Sequence, residues 1–271
     1  MQRSIAIIPA RYSSTRFPGK PLVPLLDKSL LEWVYRGAAS ARRIETVLVA
    51  TEDERIVEAV RGFGGEAVMT PGDCVSGTDR VAVVAAESRA EIVVNVQGDE
   101  PLVTGEALDR LVDLFDDSSV EAATLREPFD AVGDLFDPNQ VKVVCGPSGD
   151  ALYFSRSPVP YFRGKGQISF DFRNVLFQRE EPLSGYWKHV GIYAYRLDTL
   201  LEFSRTEPTP LEKAEGLEQL RLLETGRRIR VLDAGFRSVG VDTPQDLRRA
   251  ALVLEARETN STERNPKETK R

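Results

Sequence analysis

The chain contains 271 residues, of which 41% are hydrophobic, and it carries a formal net charge of -6. This composition is typical of a soluble globular protein with one large or two modest domains, and the negative charge argues against nucleic-acid binding. The two cysteines, Cys74 and Cys145, lie far apart in the sequence, which favours neither a disulfide framework nor a zinc cluster. Because no apolar segment approaches the length of a membrane span or resembles a signal peptide, we expect a cytoplasmic protein without a membrane partner.

The first predicted element is a strand that leads into a cationic loop. Ile5–Ile8 is a short β-branched run that fits a buried parallel strand, and Pro9 should end its pairing. Arg11, Arg16 and Lys20 follow with no acidic residue between them. These cations would repel one another without an anion, and their side chains match phosphate oxygens. The loop therefore predicts a triphosphate site rather than an ordinary solvated loop. Hydroxyl groups of the same loop can assist: Ser13, Ser14 and Thr15.

Amphipathic helices then alternate with apolar strands. The helices are predicted at 30–41, 53–62, 78–88 and 104–115, and the strands at 46–51, 66–69 and 92–96. This alternation predicts an α/β fold with a mostly parallel central sheet and helices on both faces. Ligands bind beyond the carboxyl ends of such strands, so the loops after the first strand and after strand 92–96 should reach one crevice.

After about Val120 the pattern changes to shorter strands, predicted at 122–125, 141–144, 151–154 and 190–195. We interpret residues 121–196 as a smaller α+β subdomain, inserted into a single domain of residues 1–257. Helical periodicity returns at 211–224 and 244–256, on either side of a strand at 229–232. Residues 258–271 are charged and polar without an apolar period, and we predict that they are disordered.

Two aspartates that each follow a predicted strand could complete the phosphate site. Asp99 follows the fourth strand, where Gly98 permits a close backbone approach, and Asp242 lies between a short strand predicted at 239–241 and the last helix. Mg²⁺ prefers one or two carboxylates together with phosphate oxygens, so this pair is a candidate metal site. Helix capping is the alternative for both, although Thr104 is the better-placed cap after Asp99. Either Asp242 or Thr243 could cap the last helix.

Eight segments together resemble the family of 3-deoxy-manno-octulosonate (Kdo) cytidylyltransferases over nearly all of the chain. In chain order they are IIPARYSSTRFPGKPL (7–22), SGTDR (76–80), VNVQGDEP (94–101), VKVV (141–144), ALYFSRSPVP (151–160), KHVGIYAYR (188–196), LEQLRLLE (217–224) and GVDTP (240–244). The resemblance implies a nucleotide-diphospho-sugar transferase-like fold. It also implies an enzyme that joins Kdo to CMP from CTP and releases pyrophosphate, which activates Kdo for lipopolysaccharide biosynthesis.

The resemblance also implies roles for residues on the nucleotide side. The triphosphate of CTP would be held by Arg11, Ser14, Arg16 and Lys20. Asp99 and Asp242 would bind Mg²⁺, with a second ion held mainly by the phosphates. Cytosine would be read by Ser76, Thr78, Arg80 and Gln97. The alternative for SGTDR is an ordinary helix start, with Thr78 as the cap and Asp79 in the first turn.

On the sugar side, the resemblance implies that Kdo is bound by Arg156, His189, Glu218 and Gln219. Kdo is an acid with many hydroxyl groups, which suits cationic and neutral donors together with carboxylate and amide acceptors. His189 is the chain's single histidine. We expect it to contact substrate rather than to act as a general base. The resemblance further implies a homodimer.

Other classes of protein share some of these features. A CMP-sialate synthetase or a sugar-1-phosphate nucleotidyltransferase would share the triphosphate loop, but the latter should carry more basic residues near His189 than Lys188 and Arg196. A glycosyltransferase would be expected to carry a DxD metal motif, which GDE at 98–100 is not. A noncatalytic nucleotide-binding protein would have no evident need for both Asp99 and Asp242.

Overall fold

The computed structural model describes residues 2–13, 17–162 and 183–264. Its first elements are β1 (Ser4–Pro9), β2 (Pro24–Leu25), β3 (Lys28–Ser29), α1 (Leu30–Ala39), β4 (Thr46–Thr51), α2 (Glu54–Gly62), β5 (Glu66–Met69), α3 (Gly77–Ala86), β6 (Ile92–Asn95) and α4 (Gly105–Asp113). The helices and strands predicted here are confirmed, with ends shifted by at most two residues. The prediction that Pro9 ends the pairing of β1 is confirmed, because Pro9 is the last paired residue and lies opposite Ala50, at a terminal strand position that tolerates a missing amide.

The later elements are β7 (Ala122–Pro128), α5 (Val132–Leu135), β8 (Lys142–Cys145), β9 (Ala151–Ser155), β10 (Trp187–Arg196), α6 (Leu197–Arg205), α7 (Pro210–Glu215), α8 (Leu220–Glu224), β11 (Ile229–Asp233) and α9 (Pro244–Arg264). The prediction of one continuous helix at 211–224 is wrong. Gly216 has a φ of +62° and ends α7 in the left-handed conformation, so the segment forms two short helices. Helix α6, which follows β10 directly, was not predicted.

The first of two compact units consists of Met1–Ala90, Val94–Asp109 and Phe236–Arg271. Its strands follow the order β6-β1-β4-β5, and β4 pairs in parallel with both β1 and β5. All six residues of β1 are buried, as expected for a strand covered on both faces. The carboxyl ends of β1 and β4 therefore lie at one edge of the sheet.

An apolar cluster in this unit packs helix α9 against the segments that precede and follow the candidate site. Its buried members are Leu25, Leu30, Leu102, Val241, Ala250 and Leu254. Leu102 lies just after the loop that carries Asp99, and Val241 lies next to Asp242. Both loops are thus anchored in the same piece of core, which limits their movement relative to each other.

The second unit consists of Glu91–Val93 and Arg110–Gly235. Its strands follow the order β11-β7-β10, with β8 paired to β10 and β9 to β8. Strand β10 runs antiparallel to β7 and contains a β-bulge between Val190 and Tyr193, whereas β11 runs parallel to β7. The unit extends on both sides of the insertion predicted at 121–196, because β11 pairs with β7.

Helix α9 is longer than the sequence predicted. We expected it to end near Ala256 and residues 258–271 to be disordered, but the helix continues to Arg264, and residues 265–271 lie outside the described part of the chain. Pro266 is the first helix-breaking residue after Pro244, so the added turns meet no local obstacle. Within the described ranges, no helix combines the length and the apolar character needed to cross a bilayer.

Candidate active site

The centre of the candidate site is one ammonium group shared by two carboxylates. Lys20 Nζ lies 2.8 Å from Asp99 Oδ2 and 3.1 Å from Asp242 Oδ1. Lys20 follows Gly19, whose φ of +70° turns the chain into the 3-10 turn Lys20–Leu22. The structure therefore brings the two predicted metal ligands together, and the residue between them is one that the sequence assigned to the triphosphate.

The charge balance of this cluster favours cation binding. Burial disfavours the charged form of Lys20, but attraction and hydrogen bonds from Asp99 and Asp242 outweigh this effect and raise the pKa of Lys20. Lys20 is therefore protonated at neutral pH. The carboxylate side chains retain 31% and 44% of their exposure, so both stay accessible to a ligand. Two negative charges around one positive charge leave a net negative site.

Polar contacts fix the two loops that carry the aspartates. The backbone amide of Val241 donates to the carbonyl oxygen of Asp99 at 2.9 Å. Ser238 Oγ donates to the buried carboxylate of Glu100 at 2.6 Å. These two bonds join Asp99 and its neighbour Glu100 to residues that precede Asp242, so the convergence of Asp99 and Asp242 does not depend on Lys20 alone.

The capping alternatives are settled by hydrogen bonds. Thr243 is the N-cap of α9, because its Oγ1 accepts from Asp246 N at 3.2 Å and its own amide donates to the Asp246 carboxylate at 3.0 Å. Asp242 is therefore not the cap, and its side chain is directed to Lys20. Thr104 caps α4 as predicted, since its Oγ1 accepts from Ala107 N. Capping thus accounts for neither aspartate.

The loop after β1 is held against two other loops. A Cβ atom on Gly98 would lie 2.9 Å from the carbonyl oxygen of Pro9, which confirms the predicted close approach. Arg11 donates through its guanidinium to the carbonyl oxygen of Cys74. Two members of the predicted triphosphate set lie outside the described residues: Ser14 and Arg16.

The predicted cytosine segment begins helix α3. Ser76, not Thr78, is the N-cap: its Oγ accepts from Asp79 N at 3.1 Å, and the Asp79 carboxylate accepts from Ser76 N at 3.0 Å. Thr78 is buried and its Oγ1 lies 3.5 Å from Asn95 Nδ2. Gln97 donates to Asn95 Oδ1 at 3.1 Å. Asn95 therefore connects two members of the predicted cytosine set, a role that the sequence did not indicate.

Arg80 is fully buried, which is unusual for an arginine. Its guanidinium forms an ion pair with Glu52 at 2.5 Å and donates to the hydroxyl of Thr70. Its Nε makes no hydrogen bond to the described residues. Glu52 follows β4 and Thr70 follows β5, so Arg80 ties the start of α3 to the ends of two strands.

The second unit holds the residues predicted to bind the sugar. The guanidinium of Arg156 donates to the carbonyl oxygens of Pro138 (2.8 Å), Glu215 (2.7 Å) and Gly216 (3.2 Å). The carbonyl oxygen of Arg156 in turn accepts from the buried Lys142 at 2.7 Å. Burial lowers the pKa of Lys142 to about 8. Arg156 thus holds the junction between α7 and the loop before β8.

His189 is a buried, neutral histidine. Burial, and to a smaller extent the charge of Lys188, lowers the pKa of His189 to about 3. Its Nε2 lies 3.0 Å from Thr124 Oγ1. Phe154 and Tyr193 pack against the ring at centroid distances of 5.0 Å and 5.3 Å. The histidine is therefore rigidly held and remains uncharged at neutral pH.

Glu218 and Gln219 lie in the short connection between α7 and α8, and Gln219 is buried. Burial raises the pKa of Tyr193 well above its usual value, and the nearby Tyr195 and Glu218 add to this effect. Glu218 is thus close to Tyr193, which contacts His189. Tyr193 lies in the KHVGIYAYR segment, but the sequence did not indicate its contact with His189, because a buried aromatic on a strand fits a core position equally well.

The cytidylyltransferase family profile matches residues 5–229. The 3-deoxy-manno-octulosonate cytidylyltransferase of Geobacter metallireducens is 51% identical over 243 residues, which is 89% of this chain and 94% of that protein. The enzyme of the same name from Geobacter sulfurreducens is 49% identical over 250 residues, or 92% of this chain and 98% of that protein. The chain therefore belongs to the cytidylyltransferase family.

Solved structures agree with this assignment. The structure of CMP:2-keto-3-deoxy-manno-octonic acid synthetase in complex with CTP superposes with a TM-score of 0.82 at 38% identity, and the match covers 94% of this chain and 99% of that one. A 4-diphosphocytidyl-2C-methyl-D-erythritol synthase from Anaerococcus prevotii superposes with a TM-score of 0.60 at 12% identity, covering 94% and 99% of the two chains, which shows a shared fold. The predicted fold class, an α/β fold of the nucleotidyltransferase type, is confirmed.

Proposed function

We propose that this protein transfers CMP from CTP to Kdo and releases pyrophosphate, the activity for which its two Geobacter relatives are named. The observation that carries the proposal is the convergence of Asp99 and Asp242 on Lys20, at the end of the cationic loop that the sequence assigned to a triphosphate. A member of this family that carries this cluster has cationic side chains that can bind phosphate and carboxylates that can bind a metal ion.

The reaction balances as one substitution at phosphorus. The anomeric hydroxyl oxygen of Kdo attacks the α-phosphorus of CTP, and the bond from that phosphorus to the pyrophosphate oxygen breaks. The hydroxyl proton is released to solvent, and pyrophosphate leaves. Arg11, Arg16 and Lys20 neutralise the charge on the phosphates, and the hydroxyl of Ser14 donates a hydrogen bond to them.

We infer that Mg²⁺ is the cofactor and that Asp99 and Asp242 hold it. The residues fit this ion, because the two carboxylates already surround a cationic group and Mg²⁺ prefers oxygen ligands. Among the residues that the structure describes, no three His, Cys, Asp or Glu side chains form a cluster. Phosphate oxygens of CTP and water would therefore complete the coordination. Bound there, Mg²⁺ supplies positive charge to the reacting phosphate.

Cytosine recognition is assigned to the start of α3 and to Gln97. Ser76, Thr78 and Gln97 provide hydroxyl and amide groups that can donate to and accept from the base. Arg80 contributes to this site through its buried contacts with Glu52 and Thr70, which hold the helix start in place.

Kdo recognition is assigned to Arg156, His189, Glu218 and Gln219. A histidine with a pKa of about 3 is a weak base, so His189 serves as a neutral hydrogen-bonding group rather than as a proton acceptor in the reaction. Glu218 and Gln219 offer acceptors and donors for sugar hydroxyls.

We further propose that the protein is a cytoplasmic homodimer whose product enters lipopolysaccharide biosynthesis. The resemblance of its motifs to Kdo cytidylyltransferases supports this part of the proposal. Light scattering on the full chain tests the dimer, since a monomeric mass at micromolar concentration would contradict it.

The decisive experiment measures pyrophosphate release by the purified protein with CTP, Kdo and Mg²⁺. We expect release only when all three are present, with CMP-Kdo formed in equal amount. UTP in place of CTP, or N-acetylneuraminate or a hexose 1-phosphate in place of Kdo, should give little product. No release with Kdo, or preferred use of another sugar, would overturn the proposal.

A further inference from the structure

Thr124 is a fully buried residue of β7 whose hydroxyl contacts three groups of β10. Its Oγ1 lies 2.8 Å from the carbonyl oxygen of Ile192, 3.3 Å from that of Val190 and 3.0 Å from Nε2 of His189. The β-bulge in β10 brings these groups together, because Thr124 pairs with Tyr193 directly at the register shift.

The hydroxyl has one hydrogen, and this fixes the direction of each bond. Both carbonyl oxygens can only accept, and the shorter contact assigns the hydrogen to Ile192. Without that hydrogen, two oxygen atoms would face each other at 2.8 Å in a buried site, which is unfavourable. Oγ1 therefore presents a lone pair to His189, and Nε2 must carry a hydrogen to donate to it.

The remaining ring nitrogen of His189 is then an acceptor. The imidazole is neutral at physiological pH, so a hydrogen on Nε2 leaves Nδ1 without one. No hydrogen bond joins Nδ1 to any residue in the ranges 2–13, 17–162 and 183–264. Phe154 meets the ring edge-on at 80°, and Tyr193 packs at 50°, so the ring cannot readily turn to exchange its nitrogens.

We propose that Thr124 is a positioning residue that fixes the Nε2–H tautomer of His189, so that Nδ1 accepts a hydrogen bond from a hydroxyl group of the sugar substrate. The inference rests on the proposed function for its ligand, but the tautomer itself does not depend on any substrate. It also gives a reason for a threonine opposite the bulge, where a valine would pack equally well but would leave a carbonyl and an imidazole unpaired.

Nitrogen-15 NMR of the untagged protein tests the tautomer directly, because His189 is the chain's single histidine. We expect correlations of the ring protons with a protonated Nε2 and an unprotonated Nδ1 at neutral pH. In Thr124→Val the two tautomers should mix, whereas Thr124→Ser should keep the wild-type pattern. A protonated Nδ1 in the wild-type protein would overturn the inference without touching the proposed activity.

Kinetics test the link to the sugar. Thr124→Val should raise the KM for Kdo about five- to tenfold, with the KM for CTP nearly unchanged, since one neutral hydrogen bond is weakened. Thr124→Ser should restore the wild-type KM. A purely structural role would instead lower Tm and the active fraction and leave the KM for Kdo unaltered.

His189→Gln separates the remaining outcomes, because its amide can still donate towards Thr124 while the Nδ1 acceptor is lost. We expect this variant to raise the KM for Kdo at least as much as Thr124→Val. If His189→Gln raises it and folded Thr124→Val does not, Thr124 is not a positioning residue. If neither variant changes it while wild-type enzyme forms CMP-Kdo, His189 does not bind the sugar and the inference fails. If Thr124→Val does not fold, the nitrogen-15 spectrum of the wild-type protein still tests the tautomer, and the KM of Thr124→Ser for Kdo still tests the link to the sugar.

Discussion

The backbone amide of Val241 donates a hydrogen bond of 2.9 Å to the carbonyl oxygen of Asp99. This bond ties the loop that follows β6 to the turn that precedes α9, and it places Asp242 immediately beside Asp99. The backbone therefore holds the two carboxylates close together, and Lys20 lies between them. A preformed pair of this kind loses little conformational entropy when a cation and a triphosphate bind.

The first prediction concerns the aspartates. Asp99→Asn and Asp242→Asn should each reduce kcat at least about a hundredfold, because a preorganised charge at the reacting phosphate is removed. Activity should not return when the Mg²⁺ concentration is raised. Asp198→Asn, at an exposed position of α6, is the matched control and should keep wild-type activity. Wild-type turnover by Asp99→Asn across a Mg²⁺ titration would show that the metal assignment is wrong.

The second prediction concerns Lys20, which lies between the two carboxylates proposed to hold Mg²⁺ and should compete with a metal ion for them in the nucleotide-free protein. Lys20→Met should lower kcat/KM for CTP strongly, since a cation that contacts the phosphates is lost. The same variant should bind Mn²⁺ about tenfold more tightly in the absence of CTP, because no ammonium group opposes the ion. Electron paramagnetic resonance of free Mn²⁺ measures this affinity.

The control for Lys20 is Lys213→Met, an exposed lysine of α7. It should change neither Mn²⁺ binding nor turnover. If nucleotide-free Lys20→Met binds Mn²⁺ no more tightly than the wild-type protein, Lys20 does not compete with a metal ion for the two carboxylates.

The third prediction concerns Arg80. Arg80→Met should lower the free energy of unfolding by about 2–4 kcal/mol, because Glu52 is left without its cation and Thr70 without its donor. Adding Glu52→Gln should recover part of this loss, since the uncompensated charge is then removed. Urea unfolding of the two single variants and the double variant gives the coupling free energy between Arg80 and Glu52. Additive losses would show that the ion pair contributes little.

The fourth prediction concerns pH. The pKa of His189 is about 3 in the folded protein and 6.5 in the unfolded chain, so the unfolded chain binds the extra proton as pH falls below 6.5. The contribution of neutral His189 to folding stability is therefore complete above pH 6.5 and declines as the pH falls towards 3. Between pH 6 and pH 4, wild-type protein should lose roughly 2 kcal/mol more unfolding free energy than His189→Gln.

Urea unfolding at both pH values measures that difference, and equal losses in the two proteins would contradict the lowered pKa. Because His189 does not titrate near neutral pH, the pH–rate profile of His189→Gln should also keep the wild-type shape. Loss of the basic limb would instead identify His189 as a proton acceptor.

Much of the first unit could be predicted from the sequence. Strand 46–51 and strand 66–69 were predicted with their observed bounds, since each is a short apolar run between strong helix signals. The sequence paired Asp99 with Asp242 as candidate metal ligands, and the structure brings the two together at Lys20. The rule that ligands bind at the carboxyl ends of parallel strands accounts for Asp99 alone. The short strand predicted at 239–241 is wrong, because residues 234–243, all of which the structure describes, contain no strand between β11 and α9.

Other features depend on contacts that no local pattern records. Gly216 is itself a sequence signal for the end of α7, because a glycine within a helical pattern often ends a helix. The placement of Lys20 between two carboxylates, by contrast, requires three segments far apart in the chain. The contact between Thr124 and His189 arises at a β-bulge, and bulges leave no periodic trace in the sequence.

Ala250 and Leu254 of helix α9 lie in the same apolar cluster as Leu102 and Val241, the neighbours of the two aspartate loops. Helix α9 is thus a structural part of the candidate active site. A chain shortened before Pro244 would keep the whole amino-terminal phosphate loop and still be inactive, because Leu102 and Val241 would lose the surface against which they pack.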